Sequence, residues 1–324
     1  MKHILTLIFL LFLIPQTLPA IKLENRMPES VWQAEISLKI VPSYSRAFNG
    51  YGEEAPLQNL MLWDRGWFDL VEGELKREEK RLELKLAYGL TEDWVVEAMI
   101  PMVQKIQSSS LKFDAGTPDQ QKVISNLSSE ELNGLGDINI QFGKDLSYST
   151  TWHNRGGFTT RLPTGNKGMR RGISSNSIGE GHGSVGAFIH VTWYPLVHGI
   201  RNCFRIEGKN ELTGERETLE GEKVYYSAGH RADLYYSWSI ERQNVFAGTE
   251  LHYFQQSESK LPTGESNASF LKEINFEFGY GNLSELEQKP LSYPWQVRIG
   301  YTRPFAGQNT PLIHRWELSS TFLF

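Results

Sequence analysis

Apolar and polar residues alternate with a period of two along most of the chain, and this pattern constrains the fold more than any other feature. In the segment "RLELKLAYGL", Leu82, Leu84 and Leu86 fall on one face, while Glu83 and Lys85 fall on the other. A helix would scatter these residues around its surface, whereas a strand sorts them into two faces. The segments "DINIQF", "FLKEINFEFGY" and "WQVRIGY" alternate in the same way. The pattern therefore predicts an all-β protein.

About twelve such segments follow one another, with lengths typical of strands that span a membrane. They lie near residues 31–44, 79–90, 93–106, 135–146, 150–163, 184–196, 201–213, 226–240, 243–256, 270–282, 292–304 and 312–324. The connections alternate between short and long, with 283–291 the weakest member of the short set. Short turns on one side and long loops on the other indicate an antiparallel up-and-down β-barrel with an even number of strands.

A soluble β-sandwich also alternates, and it is the alternative architecture. In a sandwich the apolar faces meet in a core, whereas in a membrane barrel they contact lipid and the polar faces line the lumen. Charged residues are frequent at mid-strand, and large aromatic residues recur near strand ends, where a membrane interface would hold them. These aromatic residues are Trp32, Trp94, Trp193, Tyr194, Trp238, Trp295 and Trp316. Both observations favour a porin-like transmembrane barrel.

The first twenty residues are predicted to be a signal peptide that is cleaved on export. Lys2 is followed by the apolar run "ILTLIFLLFLI", and Ala20 provides a small residue at the end. An uncleaved anchor is the alternative. Residues 21–324 contain no other long apolar run, so the sequence argues against a helical membrane protein. We expect these residues to form one barrel domain in the outer membrane of a Gram-negative bacterium, in contact with lipid. The net charge of −5 argues against nucleic acid as a partner.

The segment "RWELSSTFLF" has the pattern of a barrel strand, with Trp316, Leu318, Phe322 and Phe324 on one face. A closed barrel requires such a strand to pair with the first one. The segment also resembles the terminal strand of bacterial outer-membrane proteins. That resemblance implies that the barrel-assembly machinery recognises these four residues as an assembly signal.

Four further segments carry a resemblance to a known family. They are "AYGLTEDWVVEAMIPMV" (87–103), "GLGDINIQFGKDL" (134–146), "GFTTRLPTGN" (157–166) and "GHGSVGAFIHVTWYP" (181–195). In their order and spacing they resemble the outer-membrane proteins of the family named for the MetA pathway of phenol degradation, often described as transporters. The resemblance implies passive passage of small compounds, including hydrophobic or aromatic ones. A closed structural or ligand-binding barrel without transport remains the alternative.

Charged residues on the polar faces are candidates for lining the lumen, either as a polar pathway for solutes or as ion pairs that stiffen a narrow barrel. The signs are mixed, so no strong ion selectivity is predicted. The candidates are Glu83, Lys85, Glu97, Asp137, Arg161, Arg205, Glu207, Arg231, Asp233, Glu250, Glu273, Glu277, Arg298, Arg315 and Glu317, together with Glu35, Lys39, Lys209 and Glu211.

The segment "NLMLWDRGWFDLVE" (59–72) is unusually apolar for a loop. One interpretation is a lid that folds over or into the barrel mouth, with Trp63, Trp67 and Phe68 as the contacting residues. The other interpretation is that the segment extends the neighbouring strands beyond the membrane.

An outer-membrane hydrolase is a third reading of the chain. Outer-membrane phospholipases are twelve-stranded barrels with a His-x-Ser pair, and His182 and Ser184 have that spacing. No Asn follows the serine, and catalysis requires a third group to orient the histidine. We therefore predict that the chain is not an enzyme. Asp233, Glu250 and His252 lack the spacing of a metal site, and no cofactor is expected.

Overall fold

The structure is a computed structural model, and it describes residues 32–62, 70–114, 116–149, 151–165, 178, 182–195, 199–217, 223–227, 229–242, 244–258, 260–261, 264–265, 268–281 and 295–323. The signal peptide predicted at 1–20 therefore lies outside the described residues. The strands are β1 Trp32–Tyr44, β2 Arg46–Phe48, β3 Glu54–Pro56, β4 Leu75–Gly89, β5 Trp94–Ser109, β6 Glu130–Leu135, β7 Ile138–Tyr148, β8 Trp152–Leu162, β9 Ser184–Trp193, β10 Ile200–Glu211, β11 Thr213–Glu217, β12 Lys223–Ser227, β13 His230–Arg242, β14 Val245–Gln256, β15 Lys260–Leu261, β16 Gly264–Glu265, β17 Ser269–Gly281, β18 Trp295–Gln308, β19 Thr310–Pro311 and β20 Arg315–Leu323. The helices are α1 Leu57–Leu62 and α2 Pro118–Asn126.

Twelve of these strands form one closed antiparallel ring. Its order is β1, β4, β5, β7, β8, β9, β10, β13, β14, β17, β18 and β20, and β20 pairs again with β1. The predicted twelve-stranded antiparallel barrel is therefore confirmed. The sandwich alternative is wrong, because the twelve main strands form one continuous sheet that closes on itself, and not two sheets packed face to face.

The ring closes between strands near the two ends of the chain. Their register runs from Gln33 opposite Leu323 to Ile40 opposite Trp316. Trp316, Leu318 and Phe322 are exposed on the outward face, as the alternation predicts, whereas Phe324 lies outside the described residues. Recognition of these residues by an assembly machinery stays a prediction.

The two faces of the ring differ in chemistry. Large apolar side chains point outward on every part of the ring and remain highly exposed, for example Ile36, Phe142, Ile189, Leu251 and Phe276. An exposed apolar surface of this extent is not typical of a soluble protein. The inward face carries the charged residues described below.

Smaller strands extend the ring at the end that carries the long connections. There β6 pairs with residues 102–107 of β5, while β7 pairs with residues 94–99 of the same strand. The strands β11, β12, β15 and β16 form a second sheet, and β19, β2 and β3 form a third. Within the described part of the chain, neither helix is long or apolar enough to cross a membrane.

An apolar cluster joins two of the long connections outside the ring. It brings together Leu57 and Leu62 of α1, Val123 and Ile124 of α2, and Leu75 at the start of β4. Residues 57–62 are thus a helix packed in this cluster and do not extend a strand. At the other end of the apolar segment, Glu72 pairs with Lys112 and so continues the pairing of β4 with β5. The lid candidates Trp63, Trp67 and Phe68 lie outside the described residues, so their role stays a prediction.

Helix α2 was not anticipated from the alternation of apolar residues. Its signal is the sequence "TPDQ", in which Thr117 and Gln120 form a capping box and Pro118 occupies the first turn. The Gln120 amide nitrogen of the main chain donates to Oγ1 of Thr117, and the Thr117 main-chain nitrogen donates to Oε1 of Gln120. Such a box satisfies two of the otherwise unpaired donors at a helix start.

Candidate functional site in the charged barrel interior

One contact identifies the inward face directly. Nη2 of Arg205 on β10 donates a hydrogen bond of 2.8 Å to Oε1 of Gln141 on β7. Two strands, β8 and β9, separate β7 from β10 in the ring. Side chains so far apart along the wall can meet only in the space that the wall encloses. All residues on the same face of these strands therefore line the interior.

A network of ion pairs begins at Arg205 and follows the wall. Arg205 lies 2.8 Å from Glu207, and Lys209 lies 2.9 Å from the other oxygen of the same carboxylate. On the next strand, Arg231 lies 2.7 Å from Asp233, which Lys209 approaches at 4.0 Å. Each carboxylate is thus shared between two cations from neighbouring positions.

His252 continues this network into the next two strands. Its Nε2 lies 3.1 Å from Asp233, and its Nδ1 lies 2.9 Å from Glu273. The ring of Tyr235 stacks on the imidazole with centroids 4.1 Å apart. Arg315 on β20 then approaches Glu273 at 3.7 Å. The network therefore joins side chains from five strands, β10, β13, β14, β17 and β20, and it extends past β18, which lies between the last two. The described residues show no group of three side chains with the arrangement of a metal site.

A second network occupies the wall formed by β20, β1 and β4. Lys39 lies 2.7 Å from Glu83 and 3.9 Å from Glu317. Arg81 approaches Glu83 at 3.6 Å. Lower on the same wall, Lys85 forms an ion pair of 2.8 Å with Glu97 of β5. Glu35 lies directly opposite Lys85 in the register of β1 and β4.

Polar residues at the long-loop end hold two connections in place. Arg161 of β8 pairs with Glu211 of β10, and Nε2 of His182 lies 3.1 Å from the same carboxylate oxygen. The Gly165 main-chain nitrogen donates 2.9 Å to Asp137. These carboxylates act as anchors for the backbone and for neighbouring side chains.

The same contacts bear on the hydrolase alternative. Nε2 of His182 lies 2.9 Å from Nη2 of Arg161 as well as 3.1 Å from Glu211. A general base must have a ring nitrogen within reach of the hydroxyl that it activates. Nε2 already has two other partners, so the geometry gives no specific support to a His182–Ser184 pair.

The remaining candidates line β14, β17 and β18. Glu250 lies directly opposite Asn275, and Asn275 donates 2.7 Å to Glu277 through its amide. Arg298 approaches Glu277 at 3.9 Å. The structure places Glu250, Glu277 and Arg298 on the inward face, and their function as a solute pathway stays a prediction.

The interior carboxylates and cations differ in how far they reach into the lumen. Glu207 and Asp233 are packed against the wall, with only 5% and 0% of their side chains exposed. By contrast, 41% of the Lys85 side chain and 35% of the Arg315 side chain are exposed. Glu277 and Glu317 are partial exceptions, at about 30%. In this set the cationic side chains are therefore the more exposed ones on the inward face.

Aromatic rings beneath the arginines are part of the site that sequence reasoning missed. The guanidinium carbons of Arg205 and Arg231 each lie 4.6 Å from a ring centroid, that of Phe188 and that of Phe254. Cation–π contacts of this kind contribute about 0.5–2 kcal/mol. A third ring, Phe246, lies between Arg201 and Arg298, at 5.9 and 5.7 Å respectively. The sequence did contain a signal, because each of these phenylalanines falls on the same alternating face as polar residues of its own strand.

A cysteine–histidine contact also lies on the inward face. Nε2 of His190 on β9 is within hydrogen-bond reach of Sγ of Cys203 on β10, and Thr192 lies near both. The pairing follows from the register, in which Cys203 is opposite Thr192. Nothing in the local sequence around Cys203 indicated this histidine.

Comparisons with known proteins agree with the fold. No family model matches the sequence, and curated proteins give no significant match. Among solved structures, the chain is similar to the COG4313 outer membrane channel from Pseudomonas putida F1, with a TM-score of 0.68 and 12% identity over 94% of this chain and 99% of that chain. Weaker similarities include the NanC porin (TM-score 0.40, 11% identity, 89% of this chain and 98% of that chain) and the CymD monoaromatic hydrocarbon channel (TM-score 0.40, 10% identity, 92% and 89%).

Proposed function

We propose that the chain is a passive channel for small solutes in the bacterial outer membrane. The observation that carries the proposal is the partly exposed set of charged heads on the inward face, among them Lys85, Arg205 and Arg315. These side chains keep accessible surface although the wall surrounds them, which supports a polar path through the interior. A charged, solvent-accessible lumen is typical of barrels that conduct polar solutes.

The outward face supports the proposed membrane location. Aromatic pairs lie where the short turns are, including Trp32 with Tyr88, and Tyr280 with Trp295. Aromatic residues at strand ends are typical of the membrane interface. Between the rims the outward residues are mainly aliphatic and aromatic, which suits lipid acyl chains. Heat-modifiable gel mobility in the outer-membrane fraction would test this location, because a folded barrel resists unfolding by detergent until it is heated.

The solutes we propose are small compounds, including hydrophobic or aromatic ones. The resemblance of four segments to proteins of the phenol-degradation family supports this class. The interior adds a physical reason, because rings such as Phe188 and Phe254 lie beside cationic heads. Aromatic compounds that carry an acidic group would match both features. The pairs of an arginine with a phenylalanine ring favour such compounds over neutral sugars of the same size.

Liposome swelling with the purified protein tests the channel. We expect faster uptake of small solutes than in empty liposomes, and faster uptake of benzoate than of a neutral sugar of similar mass. Flux equal to that of empty liposomes would refute the channel. Equal rates for benzoate and the sugar would refute only the proposed preference.

A closed structural or ligand-binding barrel is the second candidate, and a specific observation favours it. The Arg205–Gln141 hydrogen bond and the ion-pair networks fill part of the interior. Small barrels often fill their interiors with side chains. A protein that shows heat-modifiable mobility but no solute flux would identify this alternative. A phospholipase assay with Ser184→Ala would separately test the hydrolase.

A further inference from the structure

We propose that the outward face of β17 and β18 binds the phosphate group of a membrane lipid at the rim that carries the long loops. The proposal rests on the membrane location proposed above and adds to it a specific ligand site. Its two central residues are Lys272 and Arg303, which nothing in the channel function requires.

The distribution of charge on the outward face singles out these two residues. On β14, β17, β18, β20 and β1 the described outward residues are apolar or uncharged, apart from Lys272 and Arg303. Both side chains are exposed. A cation on a lipid-facing surface is costly unless it reaches an interface or an anion. No outward carboxylate on these described strands could neutralise either of them.

The register places the two cations next to each other. Arg303 lies directly opposite Ile274, and Lys272 is the next outward residue on the same strand. Diagonal neighbours on adjacent strands are about 7–8 Å apart, within reach of long side chains. A bulge between Lys272 and Glu273 also adds Phe305 to the outward surface, where 56% of it is exposed.

The position along the strands corresponds to a membrane interface. Tyr280 and Trp295, which contact each other at 6.0 Å, mark the rim with the short turns. Lys272 and Arg303 each lie eight residues away from these aromatic residues along β17 and β18. At about 3.4 Å per residue and a tilt of about 40°, that separation is about 20 Å along the barrel axis. The two cations therefore lie close to the far edge of an apolar band about 25 Å tall, where their long side chains can extend to the lipid head groups.

Neighbouring groups suit a phosphorylated lipid better than free phosphate. Nζ of Lys272 lies 5.9 and 6.0 Å from the ring centroids of Tyr253 and Phe270, so the ammonium is held on the outer surface. Tyr301 forms a hydrogen bond of 2.8 Å with Nδ1 of His314, beside Arg303 on the same face. Guanidinium and ammonium groups form strong charge-assisted hydrogen bonds to phosphate. The adjacent exposed rings would contact the acyl chains that free phosphate lacks.

The experiment compares lipids that differ only in phosphate. The wild-type barrel is placed in phosphatidylcholine nanodiscs doped with either diphosphoryl lipid A or its dephosphorylated form, and lipid retained after mild detergent extraction is counted by native mass spectrometry. The test variant is Lys272→Gln/Arg303→Gln. The matched control is Lys144→Gln, because Lys144 is an exposed lysine 5.4 Å from the Trp94 ring at the opposite rim.

We expect the wild type to retain diphosphoryl lipid A but not the dephosphorylated form. Each cation near a membrane surface contributes about 1 kcal/mol toward anionic lipid, so the double variant should bind roughly thirtyfold more weakly. Lys144→Gln should behave like the wild type. The single variant Lys272→Arg keeps both positive charges and should bind lipid A as the wild type does. Equal retention by the double variant, an equal loss in the control, or competition by millimolar inorganic phosphate would overturn the site.

Heat-modifiable mobility is measured on every variant. If the wild type itself lacks that property, the membrane barrel fails, whereas a folded barrel without lipid selectivity refutes only this site.

Discussion

Arg205 and Gln141 are joined by a hydrogen bond of 2.8 Å across an interval of two strands. The same guanidinium lies 2.8 Å from Glu207 and over the ring of Phe188 at 4.6 Å. Three contacts from three strands therefore hold this side chain inside the barrel. It obstructs part of the lumen, and it does so as a fixed element of the wall.

The first prediction concerns the width of the lumen. Arg205→Ala removes this obstruction, so we expect a larger single-channel conductance in planar bilayers. The matched control is Arg46→Ala, since Arg46 lies on β2 outside the ring and forms an exposed ion pair of 3.5 Å with Glu54. An unchanged or smaller conductance for Arg205→Ala would show that the narrowest part of the pathway lies elsewhere.

The second prediction concerns ion preference and follows from the unequal exposure of interior charges. Lys85→Gln removes a cationic head that reaches the lumen, so the reversal potential in a salt gradient should shift toward cation preference. Glu207→Gln removes a carboxylate that is held against the wall between two cations. We expect it to change selectivity less and to lower the free energy of unfolding by about 1–3 kcal/mol, because it leaves Arg205 and Lys209 with an uncharged partner. A larger selectivity change in Glu207→Gln than in Lys85→Gln would contradict this description of the lumen surface.

The third prediction compares two strand glycines. A Cβ added at Gly157 on β8 would lie 2.0 Å from the carbonyl oxygen of Phe142 and 2.8 Å from the ring of Phe188. A Cβ added at Gly208 on β10 would meet nothing within 4 Å. We therefore expect Gly157→Ala to destabilise the barrel by about 1–3 kcal/mol or more, as overpacking does. Gly208→Ala should be nearly neutral. Denaturant titration followed by heat-modifiable mobility measures both, and equal midpoints would refute the packing around Gly157.

The fourth prediction concerns the apolar cluster that joins two long connections. Leu127 follows α2 and is 1% exposed, so Leu127→Ala should weaken the cluster by about 2–4 kcal/mol. Most of the cluster lies outside the ring, and of its buried residues only Leu75 belongs to a ring strand. We expect faster proteolysis in the segment 111–127 with unchanged barrel mobility on gels. Tyr51→Ala, at an 84% exposed position in the β2–β3 connection, is the control and should cleave like the wild type. Loss of the folded barrel in Leu127→Ala would show that the cluster supports the ring.

The ring strands could be predicted from the sequence because the contrast between lipid-facing and inward residues is local and repeats every second residue. The strand boundaries were less certain where extra structure competes. For example, β13 begins at His230 rather than near 226, because residues 223–227 pair with 213–217 in a separate hairpin. Similarly, β4 begins at Leu75 because it continues to pair with β5 beyond the region of alternation.

The contacts of the interior could not be predicted in the same way. The period-two alternation placed Asp233, His252 and Glu273 on the polar face, but the pairing of these side chains depends on the register of three different strands. The Arg205–Gln141 contact depends in addition on the curvature of the whole ring. Phe188 and Phe254 were missed because an inward aromatic residue contradicts a simple division into apolar outside and polar inside.

The pairing of β1 with β20 has a consequence for folding. Gln33 and Leu323 are among the most distant residues in the sequence, yet they are neighbours in the sheet. Until both strands are present, the sheet has two open edges whose main-chain groups lack partners. The seam is also antiparallel and in register like any other junction of the ring. A circular permutant could be opened at a short turn, such as the one between β13 and β14, and joined across β1 and β20. It would form the same closed ring of twelve strands, and only the order in which the strands are synthesised would change.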